Sequence, residues 1–181
     1  MTDRVAGNGV ELVPFCVKSD EGLFAEIQEL SRTAFSRFGS YLETIEHWLE
    51  SEQAVTLCAL KNKRPVGFVI YVYRRLAQQV AGEIIALAVD PSVRRQGIGL
   101  LLLERAVDAL KSGSQTVGAT FIQLHVSQRN TSAQRLFLKS GFAMVDSSDK
   151  YPNGDTANRM ALALNRKSTS RHRNQPSLVE I

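Results

Sequence analysis

Two arginines and two glycines stand together where an apolar run gives way to a leucine-rich segment. In the stretch VDPSVRRQGIGLL, the residues Arg94, Arg95, Gly97 and Gly99 follow a run that stops at Asp90. The first amides of a helix have no intrahelical partner and carry partial positive charge, and glycine lets a ligand approach the backbone. The stretch predicts an anion-binding turn at the start of a helix, although a tight turn without a ligand has the same glycine spacing.

The spacing of these glycines excludes two common phosphate-binding motifs. Leu102 occupies the position of the third glycine in the dinucleotide fingerprint G-x-G-x-x-G, and the sequence has no G-x-x-x-x-G-K-[ST] pattern. The Gly-x-Gly turn by itself therefore does not identify the phosphate ligand.

The elements around this turn follow from apolar periodicity, which predicts helices over 21–35, 41–51, 98–111 and 130–140. Predicted strands cover 10–17, 54–60, 66–73, 82–89, 119–126, 142–145 and 157–164. The strand 82–89 is apolar on both faces, as in a covered central strand, and alternation along it places Glu83 on the face of Leu87 and Val89. This order predicts an α/β fold with a mixed sheet, in a single domain over residues 1–164.

The composition is that of an ordinary globular protein, with 44% hydrophobic and 22% charged residues among 181. No apolar run reaches the roughly 18 residues of a membrane span, and the first residues lack a signal-peptide core, so a cytoplasmic protein is expected. Cys16 and Cys58 lie in strand-like runs without a C-x-x-C motif or a Cys/His cluster. Buried, reduced thiols and no metal site are therefore expected.

The positive charge is concentrated near the end of the chain. The whole chain has 22 basic and 18 acidic residues, and residues 165–181 contain four of the basic and one of the acidic ones. The rest of the chain therefore has 18 basic and 17 acidic residues and is nearly neutral. We expect this polar tail to be flexible and nucleic-acid binding to be improbable, because a binding face needs cations fixed on a folded surface.

Two longer segments resemble the acetyl-CoA signature of the GNAT superfamily of N-acetyltransferases. EIIALAVDPSVRRQGIGLLLLERAV contains its [RQ]-x-x-G-x-[GA] pattern as Arg94, Gly97 and Gly99. HVSQRNTSAQRLFLKSGF resembles its Asn-x-x-Ala-x-x-Leu-[YF] helix, which begins at Asn130 and is followed by Gly-Phe. The resemblance implies the GNAT fold, with a six- to seven-stranded mixed sheet, about four helices, and fourth and fifth strands that splay apart.

The resemblance also implies how acetyl-CoA is held. Backbone amides would bind its pyrophosphate, those of Arg94, Arg95, Gln96, Gly97, Ile98, Gly99 and Leu100. The backbone of Leu87 and Val89 would bind the pantetheine arm, Asn130 and Ala133 would line its other side, and the Val89 amide would polarise the thioester carbonyl. Phe137 occupies the position where many relatives have a tyrosine that serves as the general acid.

The family's chemistry requires a base that takes a proton from the acceptor amine. Glu83 matches the catalytic glutamate of the histone-acetylating branch, whereas His125 matches a histidine of some protein N-terminal acetyltransferases, and the choice between them stays open. Since Phe137 cannot donate a proton, either Tyr151 in the KYPNGD segment replaces the missing acid or the thiolate leaves without one. His47 and His172 are expected to be non-catalytic.

The acceptor is the least specified part of this prediction. DKYPNGDTANRMALAL resembles the final hairpin of enzymes that acetylate protein N-termini, the branch that includes the ribosomal alanine acetyltransferase. The prediction is direct attack in a ternary complex by a protein N-terminus, a lysine or a small amine, in a protein that could form a homodimer as many relatives do. The alternative is a CoA-binding regulatory module with weak catalysis. Four aromatic residues of the first two helical segments are interpreted mostly as core residues: Phe35, Phe38, Tyr41 and Trp48.

Overall fold

The computed structural model describes residues 3–4, 9–18 and 20–164 of the chain. The helices of this part are α1 (Glu21–Phe35), α2 (Tyr41–Glu50), α3 (Ile98–Val117) and α4 (Thr131–Lys139). Its strands are β1 (Asp3–Arg4), β2 (Val10–Phe15), β3 (Val55–Lys61), β4 (Arg64–Leu76), β5 (Gln79–Val89), β6 (Ala119–Ser127), β7 (Ala143–Lys150) and β8 (Thr156–Ala163). The predicted tail, residues 165–181, lies outside the described residues.

The strands form one mixed sheet in the order β1-β2-β3-β4-β5-β6-β8-β7. Strands β5 and β6 pair in parallel, and the other neighbours in the described part pair antiparallel. The predicted mixed α/β fold is therefore confirmed. The two-residue β1 is the strand that the sequence did not predict.

Helix α3 runs six residues past its predicted end, from Lys111 to Val117. The Ser-Gly-Ser sequence at this point favours a stop, but a tertiary contact holds the helix in place: the Tyr73 hydroxyl donates to the carbonyl oxygen of Leu110. Gly113 lies so close to β4 that a Cβ there would be 2.6 Å from that hydroxyl. The glycine is thus explained by close packing inside a helix, and the helix ends only at Gly118, with φ of 74°.

A hydrophobic core lies on each face of the sheet. On one face α3 buries Leu102, Leu103 and Leu110 against the central strands. On the other face α1 and α2 bury Ile27 and Ile45, among others, against β3, β4 and β5. The sheet is therefore the middle layer of three, and a site in it can open toward either face.

The parallel pair β5–β6 separates halfway along its length. Its register runs from Val80 opposite Ala119 to Ile84 opposite Leu124, and the pairing goes no further toward the carboxyl ends of the strands. A β-bulge lies at the same level: Ile70 and Tyr71 of β4 pair with Ala86 and Ile84, which leaves Ile85 as the extra residue. Because a bulge bends its strand, β5 turns away from β6 where the pairing ends.

This bulge reverses the side-chain alternation predicted for β5. Ile84, Leu87 and Val89 pack in the core on the α3 side, whereas Ala86 packs in the core on the α1/α2 side. Glu83 neighbours Ile84 and therefore points to the α1/α2 side, where it lines a cavity with residues of α2. The prediction that Glu83 shares a face with Leu87 and Val89 is wrong, because it assumed an unbroken period of two.

Candidate active site

A cavity of about 300 Å³ opens on the α1/α2 side of the sheet, beside the point where β5 and β6 separate. Helix α2 forms one wall, the strands β4, β5 and β6 form the floor, and the segment between β7 and β8 closes the far side. The residues that line it are Tyr41, Thr44, Trp48, Arg74, Glu83, Ile84, Ile85, His125, Asp149, Lys150, Tyr151, Pro152 and Ala157. All three predicted catalytic residues, Glu83, His125 and Tyr151, are thus brought to one cavity.

Glu83 is a buried carboxylate at the floor of this cavity, with 5% of its surface exposed. Its Oε2 atom accepts a hydrogen bond from Nη1 of Arg74, at 3.0 Å. Arg74 itself is about half exposed, so the ion pair has one end in the protein and the other near solvent. This partner fixes the orientation of Glu83 and satisfies the charge that burial would otherwise penalise.

His125 lies between two carboxylates. Its Nε2 atom is 2.9 Å from Oδ2 of Asp149, and its Nδ1 atom is 3.9 Å from Oε1 of Glu83. The first distance is a hydrogen bond and the second is too long for one. The ring is therefore held from the β7 side, and its other nitrogen is directed into the cavity.

An aromatic cluster of Phe38, Tyr41 and Tyr151 borders the cavity. The ring of Tyr151 lies 4.5 Å from that of Phe38 and 5.1 Å from that of Tyr41, between centroids. Burial raises the pKa of Tyr151 to about 12, so its hydroxyl keeps its proton at neutral pH. A protonated, positioned hydroxyl is what a proton donor requires.

The loop that carries Tyr151 is tied to the segment between α1 and α2. The side-chain amide of Asn153 donates to the carbonyl oxygen of Arg37 at 2.8 Å, and the Tyr151 amide donates to the carbonyl oxygen of Asp155 at 2.9 Å. Gly154 has φ of 85°, a value that glycine adopts readily. These contacts hold Tyr151 at the edge of the cavity.

Tyr41 is a site residue that the sequence analysis interpreted as a core aromatic. Its hydroxyl donates to the carbonyl oxygen of Ile85 at 2.9 Å. Ile85 is the extra residue of the β5 bulge, so this bond ties α2 to the point where the strands separate. Trp48 also lines the cavity, although helical spacing predicted a core position for it.

A narrower slot of about 60 Å³ continues from this cavity into the gap between β5 and β6. Among the residues that line it are 84–87 of β5, 124–127 of β6, and Asn130, Ala133 and Phe137 at α4. The side-chain oxygen of Asn130 accepts from the Ala133 amide at 3.1 Å, which makes it the N-cap of α4. Phe137 is buried and packs edge-to-face on Phe142, with ring centroids 6.0 Å apart.

The predicted anion-binding loop forms the start of α3 at the same edge of the sheet. Gly97 has φ of 83° and precedes the helix, which begins at Ile98 without a side-chain cap. The first helical amides, from Ile98 on, therefore remain available to an external acceptor. The Arg94 side chain donates to the carbonyl oxygen of Val89 at 3.0 Å, which fastens the loop to the end of β5.

The two glycines of the loop have different explanations. Gly97 is explained by its left-handed backbone, which glycine adopts readily. Packing does not explain it, because a Cβ there would meet nothing within 4 Å. Gly99 has an ordinary helical backbone, and a Cβ there would make only van der Waals contacts, 3.5 Å from Val89 and 3.6 Å from Leu136. Nothing in the protein fold requires Gly99, which favours a ligand at this point.

Other predictions concern metals, membranes and thiols. Within the described residues, no group of three or more His, Cys, Asp or Glu side chains could hold a metal ion, and no helix has the length and hydrophobicity of a membrane span. Cys58 is buried, as predicted, and burial raises the pKa of its thiol to about 12. Cys16 is exposed, contrary to prediction, because β2 ends at Phe15, one residue before the cysteine.

Comparison with known proteins places these features in a family. A family model described as Acetyltransferase (GNAT) family matches residues 24–142. The chain is 32% identical to mycothiol acetyltransferase of Beutenbergia cavernae over 74 residues. These residues are 41% of this chain and 24% of that protein. The chain is also 26% identical to N-alpha-acetyltransferase 20 of Dictyostelium discoideum over 116 residues, which cover 64% of this chain and 63% of that one. The matches thus span less than two thirds of either relative.

Solved structures share the whole fold. A structure of the NatC complex bound to Gag peptide and CoA contains a chain that superimposes with a TM-score of 0.68 at 23% identity, covering 87% of this chain and 100% of that one. The ribosomal-protein-S18-alanine N-acetyltransferase of Escherichia coli superimposes with a TM-score of 0.63 at 19% identity, covering 88% and 97%. At these identities the likeness concerns the fold.

Proposed function

Because the chain belongs to the GNAT acetyltransferase family, we propose that it transfers the acetyl group of acetyl-CoA to a primary amine. The transfer is a direct attack of the amine in a ternary complex. One observation carries this proposal: the slot between β5 and β6 and the larger cavity meet at shared residues, which are Tyr41, Ile84, Ile85, His125 and Tyr151. A thioester in the slot and an amine in the cavity would meet beside a base and a proton donor.

The residues for holding acetyl-CoA lie along a continuous path. The amides of residues 94–100 form the pyrophosphate site, at the uncapped start of α3. Leu87 lines the slot and Val89 ends β5, and both would flank the pantetheine arm on one side, with Asn130, Ala133 and Phe137 on the other. A Cβ at Gly99 would make only ordinary contacts with Val89 and Leu136, so the glycine is better explained by a ligand that approaches the backbone closely.

We assign the base to His125. Glu83 already accepts a hydrogen bond from Arg74, so its Oε2 is engaged, whereas Nδ1 of His125 faces the cavity at 3.9 Å from the nearest Glu83 oxygen. His125 takes the proton that the amine loses as its nitrogen bonds to the acetyl carbon. Glu83 supplies negative charge beside the ring that becomes positive.

Tyr151 is the proton donor to the sulfur as the carbon–sulfur bond breaks. Its pKa of about 12 keeps the hydroxyl protonated, and it lines both the slot and the cavity. Phe137, in the position of the family's usual tyrosine, is buried among apolar residues and offers no proton. The Val89 amide polarises the thioester carbonyl.

The acceptor class that the site supports best is a protein or peptide N-terminus. The cavity opens to solvent, and Tyr41, Trp48 and Tyr151 offer aromatic surface for a first side chain. The names of a relative and a structural neighbour, an N-alpha-acetyltransferase and an alanine N-acetyltransferase, point the same way. A lysine side chain or a small amine is the competing acceptor.

A panel of acceptors tests this proposal through thiol release from acetyl-CoA. Peptides with a free N-terminus and no lysine are expected to react, whereas the same peptides with a blocked N-terminus and one lysine are expected to react poorly. The opposite order of reactivity would indicate that lysine, and not the N-terminus, is the acceptor. Tight binding of acetyl-CoA without thiol release for any amine would instead support a CoA-binding regulatory module, the function that Phe137 favours.

A further inference from the structure

We propose that Asp149 is a positioning residue for His125, one that the sequence did not identify. Its carboxylate accepts the Nε2–H of the imidazole, which leaves the lone pair on Nδ1, the nitrogen on the side of Glu83 at the floor of the acceptor cavity. The proposal rests on the role of His125 in the proposed function. It concerns a different property, which is the tautomer and orientation of the ring.

Two irregularities in β7 bring Asp149 to this place. The register between β7 and β8 shifts between Met144 and Asp146, and again between Asp146 and Asp149. Each shift adds one residue to β7, so Asp149 lies opposite Ala157, where a regular pairing from Met144 would have placed Ser147. Ala157 lines the cavity, and the bulges therefore direct Asp149 into the site.

The chemistry of the contact fixes the tautomer. An ionised carboxylate accepts hydrogen bonds and donates none, so the nitrogen 2.9 Å from Asp149 must carry the hydrogen. The neutral ring then has its lone pair on Nδ1, which is 3.9 Å from Glu83 and too far for a direct bond to that oxygen. A proton arriving at Nδ1 leaves the Nε2–H bond to Asp149 intact, and the imidazolium then lies between two carboxylates.

Other charged groups near the ring do not replace this contact. From β4, Arg74 is bonded to Glu83, and from β8, Arg159 lies opposite His125 but places its guanidinium on Asp146. Lys150 and the neutral hydroxyl of Tyr151 line the same cavity. Glu83 approaches the other ring nitrogen, so Asp149 is the carboxylate that holds Nε2.

Nitrogen-15 NMR of histidine side chains in the full chain tests the proposal without an activity measurement. The chain has three histidines, and the spectrum of His125→Ala assigns the resonance. At alkaline pH, where imidazole is neutral, wild type is expected to show the Nε2–H tautomer for His125. Asp149→Ala is expected to show a mixture, and Asp149→Asn, which keeps a carbonyl acceptor, is expected to restore much of the wild-type tautomer.

Kinetics supply the second readout. Asp149→Ala is expected to lower kcat about tenfold with KM for the peptide changed far less, because the base remains but is poorly oriented. Asp108→Ala is the control, since Asp108 is an exposed carboxylate of α3. It is expected to leave both the tautomer and kcat near wild type.

The outcomes separate this proposal from the proposed function. An Nδ1–H tautomer in wild type, or an unchanged tautomer in Asp149→Ala, would overturn the positioning role whatever the activity. A loss of the Nε2–H tautomer in Asp149→Ala would support it even if no amine were acetylated, and in that case the proposed function alone would fail. If Asp149→Ala does not fold, the wild-type tautomer and Asp149→Asn still decide the question.

Discussion

The two halves of the cleft are built from different kinds of groups. The proposed cofactor half, residues 94–100 with the ends of β5 and β6, presents backbone amides and carbonyls at a helix start and a strand gap. The acceptor half presents side chains from separate strands, with Glu83 on β5, His125 on β6 and Asp149 on β7. Backbone groups bind a constant ligand, whereas side chains can vary with the acceptor, so the two halves should respond to different mutations.

The largest expected effect is in the acceptor half. His125→Ala is expected to lower kcat at least about a hundredfold, because it removes the proposed general base. Thiol release with saturating acetyl-CoA and peptide measures this loss. His47→Ala is the control, since His47 is an exposed residue of α2.

Glu83→Gln distinguishes the two candidate bases. The amide keeps the size of the side chain and an acceptor for Arg74, so we expect a smaller loss of kcat than for His125→Ala. If Glu83→Gln loses a hundredfold while His125→Ala remains active, Glu83 is the base and the assignment made above is wrong.

The cofactor half is tested by a pair of glycines at the two ends of α3. Gly97 and Gly118 both have left-handed backbones, with φ of 83° and 74°. Alanine at either is expected to cost about 1 kcal/mol of unfolding free energy. Only Gly97→Ala is expected also to weaken acetyl-CoA binding, by about tenfold or 1.4 kcal/mol, because it distorts the amides at the helix start.

Denaturant unfolding and calorimetry with acetyl-CoA measure these two quantities separately. Equal losses of affinity in Gly97→Ala and Gly118→Ala would show that strain in α3, and not a ligand site, explains the effect. The proposal that the start of α3 binds acetyl-CoA would then be wrong.

A smaller effect is expected where the two halves join. Tyr41→Phe removes the hydrogen bond to the Ile85 carbonyl and is expected to cost about 1 kcal/mol of stability. Tyr73→Phe removes a comparable bond to the Leu110 carbonyl, on the α3 side of the sheet, the face opposite the cavity. Both should lower the unfolding free energy, but only Tyr41→Phe should lower kcat/KM, and equal kinetic losses would contradict a role for the β5 bulge.

The last expected effect, absent at neutral pH, is a loss of stability at alkaline pH. Burial raises the pKa values of all four tyrosines above 10, among them that of Tyr151, to about 12. Between pH 10 and about pH 12 the tyrosines of the unfolded chain lose protons that those of the folded chain keep. Stability that is present below pH 10 is therefore lost as the pH rises toward 12. Denaturant unfolding at several alkaline pH values should show this decline, and Tyr151→Phe should make it shallower. An unchanged slope in that variant would contradict the burial of Tyr151.

The sequence predicted the local backbone features of the proposed cofactor half better than the side-chain geometry of the proposed acceptor half, for physical reasons. Gly97 and the α4 cap at Asn130 satisfy local backbone requirements, and such requirements leave a mark in the local sequence. The face of Glu83 and the position of Asp149 depend on bulges in β5 and β7. A bulge is defined by its pairing with a neighbouring strand, so no local pattern in β5 or β7 reveals it.

The difference between local and tertiary features also explains why the aromatic residues of α2 were only partly predicted. Helical spacing in α2 correctly predicted that Tyr41 and Trp48 point inward, but the inner side of α2 faces a cavity as well as the core. Periodicity indicates which face of a helix is covered and not whether packing there is complete. The bond from Tyr41 to Ile85 is therefore a feature of the tertiary structure alone.

The most direct test of the central claim is calorimetry of acetyl-CoA binding to wild type, Gly99→Val and His125→Ala. We predict that wild type binds, that His125→Ala binds with the same Kd, and that Gly99→Val binds at least about tenfold more weakly. This pattern would place the cofactor on the backbone of α3 and leave His125 to the chemistry. No binding to wild type at moderate salt, or an equal loss of affinity in both variants, would contradict the account.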